Sequence, residues 1–176
     1  MCIRDSYNVA TKKISTELVE DTNINLKRWL PNNDLEVDSI HGHLRLRGRT
    51  RGSAGENLSV AYGFLSTLFN RTSHSLPFIV DSPAGALDNS VRKKIGETIP
   101  KLTSQFVTFI ISSERQKFIN EGIERVTSDI QYLTIFRKRL SNYLILAEKI
   151  EHTLVTKDGV IVDSKDFFEQ FDLDDD

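Results

Sequence analysis

The amino-acid sequence predicts an α/β fold with mostly parallel central strands and flanking helices. After Ser53, apolar residues recur at spacings of three and four, which is typical of an amphipathic helix. Two short and almost wholly apolar runs, SLPFIVD and QFVTFIIS, are typical of buried strands. Between them lies a helical pattern from Asp88 to about Leu102. Helix, strand, helix and strand in this order favours parallel strands joined by a crossover helix.

The first element is a predicted helix within residues 7–31. Its apolar face is formed by Val9, Ile14, Leu18 and Val19, and Pro31 ends it. The apolar spacing covers only about three heptads, so the pattern fits the end of a coiled-coil arm and a surface helix equally well.

Two β-hairpins are predicted, one on each side of the central pattern. In LEVDSIHGHLRLRG the apolar residues alternate on both sides of His41-Gly42, and in HTLVTKDGVIV the turn falls at Asp158-Gly159. QYLTIF is a further candidate strand, and residues 128–176 form a C-terminal extension that ends in the acidic run DLDDD. Four arginines alternate after the first hairpin turn and form either a basic stripe for DNA or nucleotide phosphates or a solvated face: Arg45, Arg47, Arg49 and Arg51.

Composition restricts the classes of function. The 176 residues carry a net charge of −2, which excludes a chain-wide basic surface for nucleic acid but not a local patch. No apolar run approaches the roughly 20 residues that span a bilayer, so no membrane partner is expected. The opening MCIRDS resembles a translated sequencing adapter, so we expect residues 1–6 to be an artefact and an N-terminal half to be missing. The only cysteine, Cys2, lies in that segment, and a chain without thiol chemistry fits a cytoplasmic protein.

The tetrapeptide SAGE opens the amphipathic helix and is a candidate phosphate site. Ser53 and Glu56 have the spacing of a capping box, in which the hydroxyl and the carboxylate bind each other's backbone N–H. Ala54 and Gly55 leave the backbone at the helix N-terminus uncovered, where the helix dipole adds about half a positive charge. The tetrapeptide alone favours a plain capping box.

A buried strand delivers Asp81 at its C-terminal end in LPFIVDSPAGALD. In open α/β sheets that edge is where ligands bind, and one carboxylate there suits Mg²⁺ held with waters and phosphates. Taken alone, a carboxylate that caps a turn is the commoner reading.

The order of four motifs resembles the C-terminal half of an ABC-type ATPase head over residues 35–120. The similarity is to SMC, RecN and SbcC-type DNA-repair ATPases and to bacterial defence ATPases such as DndD. SAGE falls on the signature motif, FIVD on Walker B, Leu87-Asp88 on the D-loop and IISSE on the switch region. Residues 7–31 would then be the end of the coiled-coil arm, and residues 35–127 the C-terminal lobe of a P-loop NTPase.

The resemblance implies a role for each matched residue. Two heads would sandwich ATP and Mg²⁺, with Ser53, Ala54, Gly55 and Glu56 at the γ-phosphate bound by the partner head. Asp81 would hold Mg²⁺, and the catalytic positions would be Ser82, Asp88 and Ser113. Implied partners are a second head and DNA.

The sequence departs from the family pattern in three places. Ser82 replaces the catalytic Glu after Walker B, Ser113 replaces the switch His, and no GxxxxGK[ST] P-loop occurs. A hydroxyl is not a general base near neutral pH without a partner, although it orients water, with Glu114 or Asp88 as helpers. Two functions stay open: an ATPase acting in DNA repair or anti-phage defence, and a non-hydrolysing module that dimerises in response to ATP. The isolated chain is expected to be inactive.

Overall fold

The computed structural model of the chain describes residues 3–72, 77–138 and 141–171. It divides into two compact units, Met1–Val126 and Thr127–Asp176. Both units combine helices with small sheets, which confirms the predicted mixed α/β class. Among the described residues, no helix combines the length and the apolar character needed to cross a membrane.

Two long helices pack side by side in the first unit. Helix α1 runs from Ile3 to Trp29 and α2 from Ala54 to Arg71. The Asn25 side chain crosses between them and donates to the Gly63 carbonyl and the Thr67 hydroxyl. Only the C-terminal part of α1 is buried. The predicted apolar positions Val9 and Ile14 are exposed, so the N-terminal part of the predicted apolar face is not buried in the described chain.

The first predicted hairpin is confirmed. Strands β1, Val37–Ile40, and β2, Leu44–Leu46, pair antiparallel, and the turn between them includes Gly42 at φ +72°. Asn23 of α1 binds both the N–H and the carbonyl of Val37, so the hairpin is fixed to the helix through its backbone. A small core lies beneath it: Leu26, Leu35, Val37 and Val60.

The central strands are parallel, as predicted. Strand β3, Phe78–Asp81, pairs in register with β4, Phe106–Phe109, and α3, Asn89–Thr98, forms the crossover. This parallel sheet has two strands in the described residues, and the other described strand pairings are antiparallel. The predicted helix to Leu102 ends earlier: α3 stops at Thr98 and a 3₁₀ turn, Ile99–Leu102, follows.

A bent helical segment follows β4 and packs on α3. The short α4, Ser112–Glu114, continues into a π-helical turn, Arg115–Asn120, and a 3₁₀ turn, Ile123–Arg125. Apolar side chains from α3, the 3₁₀ turn that follows it and this segment are buried: Val91, Ile95, Ile99, Phe118, Ile119 and Ile123.

The second unit is a three-stranded antiparallel sheet with helices on one face. Strands β5, Leu133–Arg137, β6, Thr153–Val155, and β7, Gly159–Asp163, lie in the order β5-β7-β6. Helices α5, Ser141–Ala147, and α6, Lys165–Gln170, pack against the sheet. The strand in QYLTIF and the hairpin at Asp158-Gly159 are confirmed, and the predicted acidic end, residues 172–176, lies outside the described residues. The core is largely aromatic: Phe136, Tyr143, Ala147, Val160, Val162, Phe167 and Phe171.

Candidate functional site

The N-terminus of α2 is closed by the predicted capping box. The Ser53 hydroxyl accepts the Glu56 N–H at 3.2 Å, and the Glu56 carboxylate accepts the Ser53 N–H at 2.8 Å. The first intrahelical hydrogen bond runs from the Asn57 N–H to the Ser53 carbonyl, so the N–H groups of Ala54 and Gly55 precede the hydrogen-bond ladder of the helix.

Glu56 is held by more than its cap. Its other carboxylate oxygen accepts from the Asn33 amide at 3.1 Å and from the Arg49 guanidinium at 3.0 Å. The Ser53 N–H and then the Asn33 amide stabilise the charged form most, and they lower the pKa of Glu56 to about 2. Burial opposes this shift, and Arg49 adds a smaller lowering effect. Glu56 therefore fixes the loop before α2, and its charge is already matched by donors.

Gly55 lies directly against the loop that follows β3. A Cβ at this position would overlap the carbonyl oxygen of Ala86, so only glycine permits this approach of the two backbones. The sequence suggested that Gly55 clears space for a phosphate, whereas the structure gives the glycine a second reason, the packing of one motif against the other.

These two segments line an open cavity of about 580 Å³, together with Leu30, Asn33 and Val91. The predicted residues Ser53, Ala54, Gly55, Glu56 and Asp88 all line it. Among the described residues lining the cavity, none is basic. Any attraction of this cavity for an anion therefore comes from the N–H groups at the start of α2 and the Ser53 hydroxyl, and the carboxylates of Glu56 and Asp88 oppose it.

The second group of predicted residues lies at the C-terminal ends of β3 and β4. Asp81 is the last residue of β3 and is exposed, and Ser82 follows at φ +47°, in the left-handed region that non-glycine residues rarely adopt. The Ser82 N–H donates to the Phe109 carbonyl at 2.9 Å, and its hydroxyl lies 3.3 Å from an Asp81 carboxylate oxygen. Ser113 is also exposed, just beyond β4.

Glu114 is completely buried and holds these two strand ends together. One carboxylate oxygen accepts the Ala84 N–H at 2.6 Å, and the other accepts the Ile111 N–H at 3.1 Å. Because both oxygens accept backbone donors, Glu114 is a structural link between the loops and is not placed as the helper for water suggested by the sequence.

Arg92 makes a similar link from α3. Its guanidinium donates to the carbonyls of Leu87 at 2.7 Å, Gly85 at 3.1 Å and Ser113 at 2.7 Å. Tyr62 of α2 donates to the Pro83 carbonyl at 2.9 Å, and burial, with Glu114 nearby, raises the pKa of Tyr62. Neither role was predicted from the sequence. The only local signal at Arg92 is its spacing of four residues from Asp88. Its binding of three backbone carbonyls cannot be predicted from the neighbouring sequence.

The segment 82–88 thus connects the two predicted groups. Its start lies beside Asp81 and β4, and its end lies against Gly55 and contributes Asp88 to the cavity. Asp88 occupies the N-cap position of α3 without a side-chain cap hydrogen bond.

The described residues contain no group of three or more His, Cys, Asp or Glu side chains that could hold a metal ion. A single exposed carboxylate such as Asp81 fits Mg²⁺ only as part of a shell completed by water and phosphate oxygens. His41 and His43 belong to the turn between β1 and β2, where the His41 N–H donates to the His43 carbonyl. Of the four arginines of the predicted basic stripe, only Arg45 lies on β2, and the other three follow in the segment before α2. Arg47 pairs with Glu36 and Arg49 with Glu56, so two of the four charges are partly neutralised.

Comparison with known proteins gives no family assignment: no protein-family model matches the chain, and no curated protein sequence matches it.

Proposed function

We propose that this chain is the C-terminal lobe of a dimerising, SMC-like ABC ATPase head that acts on DNA in repair or anti-phage defence. It supplies the half of a nucleotide site that faces ATP bound by a partner head. The observation that most supports this is the contact of Gly55 with Ala86. That contact joins the N-terminus of α2 to the loop leading from Asp81 to Asp88.

Each predicted residue has a role in this proposal. The N–H groups of Ala54 and Gly55, with the Ser53 hydroxyl, meet the γ-phosphate from across the dimer, while Glu56 keeps the loop in shape. Asp81 holds Mg²⁺ through water, and Asp88 contacts the partner head. Ser82 and Ser113 occupy the positions that orient the attacking water.

The 176 residues contain no GxxxxGK[ST] sequence, so the proposal requires a P-loop from a polypeptide segment outside them. The isolated chain is expected to bind ATP very weakly and not to hydrolyse it.

The test uses a protein that joins this chain to the P-loop segment encoded upstream of it. Because Asp81 acts on the metal through water, replacing it by Ala is expected to lower ATP turnover about 10- to 100-fold. Asp129→Ala removes another exposed carboxylate and serves as the control. An upstream sequence without a P-loop, or full turnover in Asp81→Ala, contradicts the proposal.

The second candidate is a module that dimerises on ATP without hydrolysing it. The commitment of Glu114 to two backbone N–H groups favours it, because that carboxylate is then not a general base beside Ser82 and Ser113. ATP-dependent dimerisation without turnover in the joined protein identifies this module.

DNA binding is measured separately by its salt dependence. The basic stripe contributes through Arg45 and Arg51, which are exposed, more than through Arg47 and Arg49, which already pair with carboxylates. We expect Arg45→Ala to reduce the slope of log affinity against log salt by about 1. An unchanged slope excludes a phosphate contact at this residue.

A further inference from the structure

The sheet of the second unit has two very different faces. Its inner face carries Phe136, Val160 and Val162, which are buried together with Phe167 and Phe171. Its outer face carries the alternate residues, where an antiparallel sheet normally places polar side chains toward water. Here the central positions of that face are aliphatic.

The outer face is a registered row of side chains across all three strands. Ile135 lies opposite Ile161, and Ile161 lies opposite Leu154, so the three side chains point to the same side of the sheet. Ile135 and Leu154 are each 60% exposed, and the adjacent Leu133 is 47% exposed. A contiguous exposed patch of this kind marks an interaction surface more often than scattered single residues do.

Opposite charges lie on the two sides of this row, at the two ends of the face along the strand direction. On one side Asp163 lies opposite Leu133, and on the other side Arg137 lies opposite Gly159. The two charged positions are each two residues from the central row, about 7 Å along the strands at a rise of about 3.4 Å per residue.

We propose that the outer face, defined as Leu133, Ile135, Ile161 and Leu154 with Arg137 and Asp163 at its ends, binds the same face of a second copy of this chain. A two-fold axis parallel to the row places the Asp163 end of one copy over the Arg137 end of the other, twice. Sheets stack face to face at about 10 Å, and the long Arg137 side chain extends toward the carboxylate of the second copy. A surface that matches itself in this way makes a closed dimer.

This contact is separate from the ATP-dependent dimer proposed above, because it involves the second unit and needs no nucleotide. Because the patch is small, the dimer is expected to be weak. The test is sedimentation equilibrium of the 176-residue chain from about 1 μM to about 1 mM. The expected result is an average mass that rises from 20.1 kDa toward twice that value as concentration increases, with or without ATP.

Two sets of variants test the surface and its orientation. Ile135→Lys is expected to weaken association at least about tenfold, whereas Ile145→Lys, at another exposed aliphatic residue of this unit, leaves it unchanged. Arg137→Asp and Asp163→Arg each weaken association, and the double variant restores it. Far-UV circular dichroism verifies that each variant is folded.

Three results overturn the proposal. The first is a wild-type chain that stays monomeric at all concentrations. If Ile135→Lys also unfolds, the result indicates that the face is covered within the monomer. The second is association that Ile135→Lys does not affect, which places the contact elsewhere. The third is a charge exchange that fails to restore association, which excludes the two-fold arrangement.

Discussion

Replacing Glu114 by Ala removes the acceptor for two backbone N–H groups in the first unit. The Ala84 N–H is fully buried, so its charge-assisted hydrogen bond of 2.6 Å is expected to contribute about 1.5–3 kcal/mol. The Ile111 N–H is only partly buried, and its 3.1 Å bond is expected to contribute about 0.5–1.5 kcal/mol. The free energy of unfolding should therefore fall by about 2–4.5 kcal/mol, a large share of the stability of a small domain.

The assay is urea unfolding followed by tryptophan fluorescence. Trp29 is the only tryptophan, is 2% exposed and lies in the same unit as Glu114, so its emission reports on the unfolding of that unit. At an m-value of about 2 kcal/mol/M, Glu114→Ala should lower the midpoint by about 1–2 M.

Glu114→Gln separates the two hydrogen bonds. The amide oxygen still accepts from Ala84, but the NH₂ group then faces the Ile111 N–H, and the acceptor is no longer charged. We expect the free energy of unfolding to fall by about 1–2 kcal/mol, which is less than the fall expected for Glu114→Ala. Glu20→Ala, at an exposed position of α1, is the control and should stay within about 0.5 kcal/mol. If Glu114→Ala behaves like this control, the carboxylate does not join the two loops.

Three further predictions use the same fluorescence assay. The pKa of Glu56 lies at about 2 in the folded chain, below its ordinary value of 4.5. The contribution of Glu56 to the free energy of unfolding is therefore complete above about pH 5 and is lost as the pH falls toward 2. The stability difference between the wild type and Glu56→Gln should therefore be constant near neutral pH and shrink in acid, and a difference that grows in acid contradicts this assignment. Gly55→Ala should lower the free energy of unfolding by about 1–3 kcal/mol because the new Cβ overlaps the Ala86 carbonyl. Gly85→Ala is the control and should be tolerated, since its Cβ would lie 3.7 Å from the nearest atom. Equal effects of the two substitutions refute the close approach. Ser82→Gly should be about 1 kcal/mol more stable than Ser82→Ala, since both lack the hydroxyl but only glycine is unstrained at φ +47°, and identical midpoints exclude that strain.

Local signals in the sequence determined the elements near the candidate site. Ser53 and Glu56 are three residues apart, and Gly42 and Asp158-Gly159 lie inside their own turns, so the interactions that form the cap and the hairpins involve near neighbours. The same holds for the two central strands, whose apolar character is continuous. Their pairing as parallel neighbours followed from the helix between them.

The roles of individual side chains at the site depended on residues far apart in the chain. Glu114 binds the backbone 30 positions earlier, at Ala84, and no pattern around Glu114 distinguishes this buried link from an exposed carboxylate near water. The contact of Gly55 with Ala86 likewise joins two motifs that the sequence treats separately.

The two faces of the C-terminal sheet show the same division. Alternation along β5 predicts a strand, but it does not predict that Ile135, Ile161 and Leu154 form one exposed row, because that depends on the register of three strands. Short-range hydrogen bonds and apolar periodicity were enough to predict which segments are helices and strands. Which carboxylate is buried, which glycine touches another loop and which apolar side chains stay exposed depend on contacts between distant segments, so these features became visible only in the folded chain.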